Sequence, residues 1–177
     1  MNNFPVLNIV LSGPESTGKS QLAQALAAKY NTIWSPEFAR SYLERLDRPY
    51  IEEDLLAISK GQLAQQKKDL KAANHFLFSD TGLLVLKIWS DFKYGHCDPW
   101  IESELLKGHY DLFLLCSPDI PWKADPLREN PKDRIRLYSM YKTTLQKLNL
   151  PFVEITGQGI LRLQNAIKAI EAFLNHK

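Results

Sequence analysis

Residues 6–20 read VLNIVLSGPESTGKS, an apolar run that leads into a glycine-rich loop. The last eight residues match the pattern G-x-x-x-x-G-K-[ST] in full. The apolar run predicts a buried strand over Val6–Leu11, and the residues after the loop predict a helix over 19–30. In this strand–loop–helix order, backbone N–H groups close around a phosphate. The stretch therefore predicts a P-loop that binds a nucleoside triphosphate.

The individual parts of this loop have separate predicted tasks in holding ATP. Glycine permits backbone angles that other residues resist, and the helix that follows presents free N–H groups and its positive dipole end to the phosphates. Lys19 is predicted to reach the β- and γ-phosphates, and the Ser20 hydroxyl to coordinate Mg²⁺. The predicted ATP-binding residues of the loop are Gly13, Pro14, Glu15, Ser16, Thr17, Gly18, Lys19 and Ser20.

Beyond the loop, short apolar runs alternate with longer helical patterns. Further strands are predicted at 32–34, 76–78, 112–116 and 152–155. Helices are predicted at 36–46, 51–72, 82–92, 99–107, 133–148 and 160–174. Such alternation is typical of a parallel sheet covered by helices on both faces. We therefore expect a three-layer α/β fold with five parallel strands, formed by a single P-loop domain over residues 1–177.

Composition excludes several classes of protein. Lys and Arg number 22 against 20 Asp and Glu, so the net charge of +2 gives no electrostatic case for nucleic-acid binding. No apolar run reaches the 18 residues of a membrane span, and the start of the chain lacks the basic and apolar regions of a signal peptide. We expect a cytoplasmic protein without a nucleic-acid or membrane partner. Its oligomeric state stays open.

Two carboxylates are predicted at the rim of the sheet. Asp80 ends an apolar strand in the manner of a Walker B segment, where it would hold Mg²⁺, or alternatively cap the next helix. Glu37 follows the second predicted strand, and Arg40 stands three residues later. Glu37 is predicted to orient an attacking hydroxyl and Arg40 to stabilise the moving phosphoryl group, unless the two form a surface ion pair. Whether Glu37 or Asp80 acts as the base stays open.

A proline-rich segment at about 117–134 is predicted to be a lid, because loops of this length in compact domains usually serve binding. Its arginines, among them Arg128 and Arg134, are predicted to fold over the triphosphate. Trp122 is predicted either to stack on a flat ring of the phosphoryl acceptor or to fold back over the core. The guanine-reading motif N-K-x-D is absent, and the chain is too short for the helical second domain of a motor-type AAA ATPase. We therefore expect a kinase for a small molecule or a nucleotide.

These motifs together resemble the ribosylnicotinamide kinase domain of the NadR-type NAD-salvage proteins. The resemblance rests on residues 13–20, 36–40, 78–81 and 118–122, on Asp125 and Arg128, and on the Thr156-Gly157 turn. It implies ATP-dependent phosphorylation of the 5′-hydroxyl of nicotinamide riboside, with Mg²⁺. It also implies that Arg128 is catalytic, that Asp125 binds the acceptor and that Gly157 binds ATP.

Two departures from the family pattern are visible. Longer members carry an adenylyltransferase domain, often preceded by a DNA-binding helix-turn-helix, and no segment here is predicted to form either. The family usually has Asp-Thr-Asp after the third strand, where this chain has Asp80, Thr81 and Gly82. Alternatives are a kinase for another nucleoside or small metabolite, and a nucleotide-sensing module that binds or slowly hydrolyses ATP. Whether an adenylyltransferase partner exists stays open.

Overall fold

In the computed structural model, which describes residues 5–175, five parallel strands form one sheet. The strands are β1 (Leu7–Ser12), β2 (Trp34–Ser35), β3 (Phe76–Asp80), β4 (Leu112–Cys116) and β5 (Phe152–Ile155). β1 lies at the centre between β3 and β4, with β2 beyond β3 and β5 beyond β4. The predicted α/β fold with a five-stranded parallel sheet is confirmed.

Helices cover both faces of this sheet. They are α1 (Lys19–Lys29), α2 (Phe38–Leu43), α3 (Glu52–Leu70), α4 (Leu83–Tyr94), α5 (Pro99–Leu105), α6 (Arg134–Lys147) and α7 (Gly159–Asn175). Alternate residues of β1 point to opposite faces: Ile9 packs with α1 and α7, and Val10 packs with α4, α5 and α6. This period of two, in a strand that is buried from Asn8 to Ser12, is what a parallel sheet between two helical layers requires.

The register of the sheet sets which residues meet at its carboxyl edge. Leu11 of β1 stands opposite Asp80 of β3, and Ser12 stands opposite Leu115 of β4. Residues that follow β1, β2 and β3 therefore converge at one edge, as ligand-binding residues do in open parallel sheets. The P-loop, Glu37 and Asp80 all lie at this edge.

The predicted boundaries are wrong around β2. The strand predicted at 32–34 is Trp34–Ser35, because the Thr32 hydroxyl bonds the Phe76 carbonyl oxygen (2.7 Å) outside the strand ladder. The helix predicted at 36–46 is only Phe38–Leu43, and Glu37 is its extended N-cap. Pro36 is held outside the helix because its carbonyl accepts a bond from the Gln65 side chain (2.7 Å).

Other predicted elements agree with the structure to within about two residues, the usual scatter at helix ends. The predicted lid forms no strand or helix over residues 117–133, and Arg134 begins α6. No helix within residues 5–175 is long and apolar enough to cross a membrane. The expectation of no signal peptide falls partly on residues 1–4, which lie outside the described part of the chain.

Candidate active site

A cavity of about 420 Å³ opens at the carboxyl edge of the sheet. The P-loop forms one wall, the lid covers another, and α2, α4 and α6 supply the remainder. The cavity brings together most of the site residues that the sequence predicts. Those that line it are Gly13, Pro14, Glu15, Ser16, Thr17, Gly18, Lys19, Ser20, Glu37, Arg40, Asp125 and Arg128.

The P-loop is seated tightly on the end of β4. Gly13 has a φ of 128°, and a Cβ at this position would lie 2.6 Å from the Cys116 carbonyl oxygen. Only glycine satisfies both conditions. Gly18, with a φ of 75°, is the N-cap of α1, so the N–H groups of this helix face the loop. The Lys19 ammonium lies across the loop and donates to the carbonyl oxygens of Gly13 (3.0 Å) and Pro14 (2.7 Å).

Two arginines donate hydrogen bonds to backbone carbonyl oxygens on the outer side of the P-loop. Arg134 donates to the carbonyls of Ser16 and Ile120, both at 2.9 Å. Arg162 of α7 donates to the Thr17 carbonyl at 2.8 Å, and its side chain is buried. Arg134 was predicted to touch phosphates, but the structure places it against the loop backbone and outside the cavity lining formed by the described residues. Sequence reasoning missed Arg162, because it stands within the apolar pattern of α7.

Two carboxylates face the loop with unequal surroundings. Glu37 lines the cavity, and desolvation there together with the charge of Asp80 raises its pKa to about 7, against the opposing effects of Lys19 and Arg40. Asp80 is only 2% exposed, and burial raises its pKa as well, although the Ser20 side chain and Lys19 act in the opposite direction. A carboxyl that changes charge near neutral pH is suited to proton transfer. The fully buried one is suited to binding a cation.

The surroundings of Asp80 fit a divalent cation. Asp80 Oδ1 is buried and has no hydrogen-bond partner among the described residues, a state that normally needs an explanation. The Ser20 side chain lies beside it, and carboxylate and hydroxyl oxygens are ligands that Mg²⁺ takes together with phosphates and waters. Residues 5–175 contain no cluster of three or more His, Cys, Asp or Glu able to hold a metal. Asp80 and Ser20 therefore suit a cation that the nucleotide helps to bind.

The position of Glu37 is fixed by α3. The Phe38 N–H donates to Gln62 Oε1 (2.8 Å), and the Gln62 side chain is completely buried. The Phe38 ring packs so closely on Gly61 that a Cβ there would lie 2.2 Å from Phe38 Cε1. The chain therefore enters α2 at a fixed angle, and Glu37 is aimed into the cavity. Nothing local in the sequence links Gln62 to Glu37, so this support was not predicted.

Arg40 and Asp125, two of the predicted site residues, form an ion pair between α2 and the lid. Arg40 Nη2 donates to Asp125 Oδ2 (2.9 Å), so α2 is joined to the lid. The Leu127 N–H and Arg40 lower the pKa of Asp125, which is therefore ionised at neutral pH. Arg128 lines the same end of the cavity and donates to the Lys123 carbonyl oxygen.

The aromatic side chains that line the cavity do not include Trp122, the predicted candidate. Trp89 and Phe92 of α4 and Tyr141 of α6 form part of its wall. Trp122 stands outside the lining formed by the described residues, and its ring lies 5.9 Å from the Arg134 guanidinium carbon. Gly157, predicted to bind ATP, also stands outside that lining and donates to Asp119 Oδ2 (2.7 Å). Trp89 and Phe92 were missed because their spacing matches a helix face packed on a core.

The lid lies directly on the P-loop. The Lys123 N–H donates to Ser16 Oγ (2.8 Å), and the Glu15 carboxylate accepts bonds from the N–H groups of Glu129 (3.2 Å) and Asn130 (3.0 Å). The Glu129 carboxylate in turn accepts a bond from the Tyr50 hydroxyl (2.6 Å). The P-loop, the lid and the chain before α3 therefore form one connected polar layer over the cavity.

Comparison with known proteins gives a family model and curated relatives for this chain. A family model described as an AAA domain matches residues 8–160. The trifunctional NAD biosynthesis/regulator protein NadR of Salmonella typhimurium is 27% identical over 160 residues, which are 86% of this chain and 38% of that protein. NadR of Escherichia coli matches to the same extent. The chain thus spans well under half the length of the curated relatives it matches, and the similarity to NadR predicted from the motifs is confirmed.

Solved structures show the same fold. A NadR protein in complex with NR superposes with a TM-score of 0.81 at 21% identity, covering 96% of this chain and 52% of that one. A NadR protein in complex with NAD and AMP-PNP gives 0.78 at 21% identity, covering 98% and 51%. A thymidylate kinase from Ehrlichia chaffeensis gives 0.64 at 13% identity, covering 94% and 100%. The fold is therefore that of P-loop kinases, as predicted.

Proposed function

The chain belongs to the AAA domain family, and from this premise we propose that it is a kinase that transfers the γ-phosphoryl group of ATP to the 5′-hydroxyl of nicotinamide riboside. The observation that carries the proposal is the cavity, in which a complete P-loop faces a carboxylate whose pKa is about 7 and a wall of aromatic side chains. The names of the similar structures support it, since one is a NadR protein in complex with NR and another holds AMP-PNP.

The ATP side of the proposal assigns the triphosphate to the P-loop. Its backbone N–H groups and the start of α1 bind the phosphate oxygens, and Lys19 leaves the carbonyls of Gly13 and Pro14 to bind the β- and γ-phosphates. Ser20 and Asp80 would hold Mg²⁺, whose charge offsets that of the phosphates. Arg40 and Arg128 stabilise the charge of the phosphoryl group in transit. Arg134 and Gly157 contribute by holding the loops around the nucleotide.

The acceptor side assigns a nucleoside to the remainder of the cavity. Trp89, Phe92 and Tyr141 offer aromatic faces to a planar ring, and the ionised Asp125 accepts hydrogen bonds from ribose hydroxyls. Trp122 contacts this end only if the lid rearranges, so its predicted role in acceptor binding is secondary to that of Trp89. The acceptor is a small molecule bound under the lid.

The proton leaves the acceptor by way of Glu37. As the 5′-oxygen bonds to the γ-phosphorus, the bond from that phosphorus to the β–γ bridging oxygen breaks and ADP departs with the electron pair. The Glu37 carboxylate accepts the hydroxyl proton, for which a pKa near 7 is well matched at neutral pH. Water is excluded by the lid, which limits loss of the phosphoryl group to hydrolysis.

The test is ADP formation measured with a panel of nucleosides, with products identified by mass spectrometry. We expect turnover that depends on nicotinamide riboside and yields nicotinamide mononucleotide, and we expect Lys19→Ala to reduce it by about 100-fold or more. Gly82, which replaces the second carboxylate of the family pattern, favours one other candidate, a different nucleoside, and the panel would identify it. ADP formation that is the same with and without every acceptor would overturn the kinase proposal in favour of a nucleotide sensor.

A further inference from the structure

A closed set of buried hydrogen bonds lies directly behind Asp80. The Leu83 N–H donates to Tyr110 Oη (3.0 Å), the Tyr110 hydroxyl donates to Gln66 Oε1 (3.1 Å), and Gln66 Nε2 donates to the Thr81 carbonyl oxygen (2.9 Å). Gln66 is 1% exposed and Tyr110 is 6% exposed. We call these four residues the turn circuit, because they enclose the turn that follows Asp80.

The direction of every bond in the turn circuit is fixed. Turning the Gln66 amide over would set its oxygen against the Thr81 carbonyl oxygen, two acceptors without a proton between them. The Tyr110 hydroxyl donates its only proton to Gln66 and accepts a hydrogen bond from the Leu83 N–H. This N–H lies in the first turn of α4 and therefore has no partner within the helix. Each polar group therefore has one arrangement. Loss of any one member leaves another buried group without a partner.

The turn itself is strained. Thr81 has a φ of 69°, which is unusual for a β-branched residue. Its N–H donates to the Leu11 carbonyl oxygen (3.1 Å), and its carbonyl is held by Gln66. Strain of this kind persists only where surrounding contacts enforce it, and it concentrates at functional sites. The turn circuit supplies that enforcement on the residue next to Asp80.

Gly82 makes room for the circuit. A Cβ at Gly82 would lie 2.9 Å from Tyr110 Oη and 3.0 Å from Val10 Cγ2. The backbone of Gly82 is extended, so space rather than conformation requires glycine here. An aspartate at this position, as in the family pattern, would displace the Tyr110 hydroxyl. The observed position of the Tyr110 hydroxyl therefore requires glycine at position 82.

We propose that Gln66 and Tyr110 are positioning residues that hold the Asp80 carboxylate toward Ser20 and so determine the affinity of the divalent-cation site. The inference rests on the proposed function, because it takes the cation from the reaction assigned to the cavity. Neither side chain lines that cavity among the described residues, so both act through the turn after β3. Their effect is on cation binding and on turnover, with the nucleotide bound as before.

The test compares Tyr110→Phe with the matched control Tyr138→Phe. Tyr138 also donates its hydroxyl to a side chain, that of Glu154 (2.6 Å), but it lies away from the turn. Binding of Mn²⁺ in the presence of AMP-PNP is followed by electron paramagnetic resonance. We expect Tyr110→Phe to raise the Kd for Mn²⁺ by about tenfold, the lower end of the cost of losing a group that is bonded to a metal ligand, because Tyr110 acts on Asp80 through the turn. The control is expected to leave the Kd within about twofold. Binding of AMP-PNP without metal is expected to be unchanged.

A second variant, Gly82→Ala, disturbs the turn circuit without removing any of its hydrogen-bonding side chains. Gly82→Ala retains Gln66 and Tyr110 but places a methyl group against the tyrosine hydroxyl, so it is expected to raise the same Kd. A folded variant that binds Mn²⁺ as the wild type does, even with lowered thermal stability, would overturn the proposal and leave the circuit a purely structural one. Wild-type protein that transfers phosphate to no acceptor, while the Mn²⁺ shift is still seen, would contradict the proposed function alone.

Discussion

Arg162 and Thr17 are joined by a buried hydrogen bond of 2.8 Å from a guanidinium N–H to a carbonyl oxygen of the P-loop. The same guanidinium donates to the carbonyls of Gly157 (2.7 Å) and Ser117 (3.1 Å) and pairs with Asp119. One side chain of the last helix thus ties together the P-loop, the start of the lid and the loop after β5. The shape of the phosphate site therefore depends on a residue more than 140 positions away in sequence.

This relationship predicts the effect of Arg162→Lys. Lysine keeps the charge but loses the planar set of donors, so the buried Thr17 carbonyl or the partly buried carbonyls of Gly157 and Ser117 are left without this partner. We expect a loss of about 1–3 kcal/mol in the free energy of unfolding, together with a rise of about tenfold in the KM for ATP. Thermal denaturation and ATP titration measure the two effects. The exposed Arg45→Lys serves as the control, and an unchanged KM in a destabilised Arg162 variant would limit Arg162 to a structural role.

Glu37→Gln should remove the base and leave ATP binding nearly intact. The amide cannot accept the proton at neutral pH, so kcat is expected to fall by about 10²- to 10⁴-fold. The wild-type kcat/KM for the acceptor should rise with pH through about 7, because the raised pKa keeps Glu37 protonated and inactive below that value. Rates from a stopped assay between pH 5.5 and 8.5 measure this rise in kcat/KM. A wild-type profile that is flat across this range would reassign the base.

The raised pKa of Glu37 also predicts how stability depends on pH. The folded state binds the proton more tightly than the unfolded state, so this group's contribution is present below the ordinary value of 4.5 and is lost as pH rises to about 7. Glu37→Gln should therefore flatten the decline in stability over that window. Urea denaturation at pH 5 and pH 7 gives the change in the free energy of unfolding between these pH values for each protein. An equal change in stability between pH 5 and pH 7 in both proteins would mean that folding does not raise the pKa of Glu37.

Asp80→Asn should alter the Mg²⁺ requirement. The buried Asp80 carboxylate, whose Oδ1 has no partner within the described part of the chain, is replaced by a neutral group that binds a hard cation weakly. The Mg²⁺ concentration for half-maximal rate is expected to rise by about 10- to 100-fold, and excess Mg²⁺ should restore part of the rate. Initial rates over a Mg²⁺ series at saturating ATP give this value. A lowered rate with an unchanged Mg²⁺ midpoint would instead favour Asp80 as the base.

Trp89→Ala should weaken acceptor binding, whereas Trp122→Ala should not. Trp89 lines the cavity, and Trp122 packs beside Arg134. Loss of a stacking contact of about 1–3 kcal/mol corresponds to a KM for the acceptor raised by about 5- to 100-fold. The two variants form a matched pair, because each removes one indole ring. If Trp122→Ala produced the larger effect, the lid would have to carry the acceptor's ring, which is one of the two roles predicted for Trp122 from the sequence.

The contrast between predicted and missed residues has a physical cause. The positions of the P-loop and Asp80 at the edge of the sheet were predictable, because a strand that ends in a glycine loop or in a carboxylate is a local pattern. The helix at 36–46 was wrong because Pro36 and Glu37 are held extended by glutamines of α3, a contact that no local pattern carries. Trp89 and Phe92 face the cavity from a helix whose spacing is indistinguishable from that of a core helix. Arg162, Gln66 and Tyr110 make hydrogen bonds between segments that are distant in sequence, and no local pattern carries such contacts.

In the proposed reaction, Glu15 would couple the binding of ATP to the binding of the acceptor. Its carboxylate, within the P-loop, binds the N–H groups of Glu129 and Asn130 in the lid. A ligand that changes the hold of this carboxylate on the lid changes the affinity of the second site, and reciprocity requires the second ligand to change the first affinity by the same factor. A coupling of this kind would be symmetric at equilibrium. The order in which they arrive is a matter of rates alone.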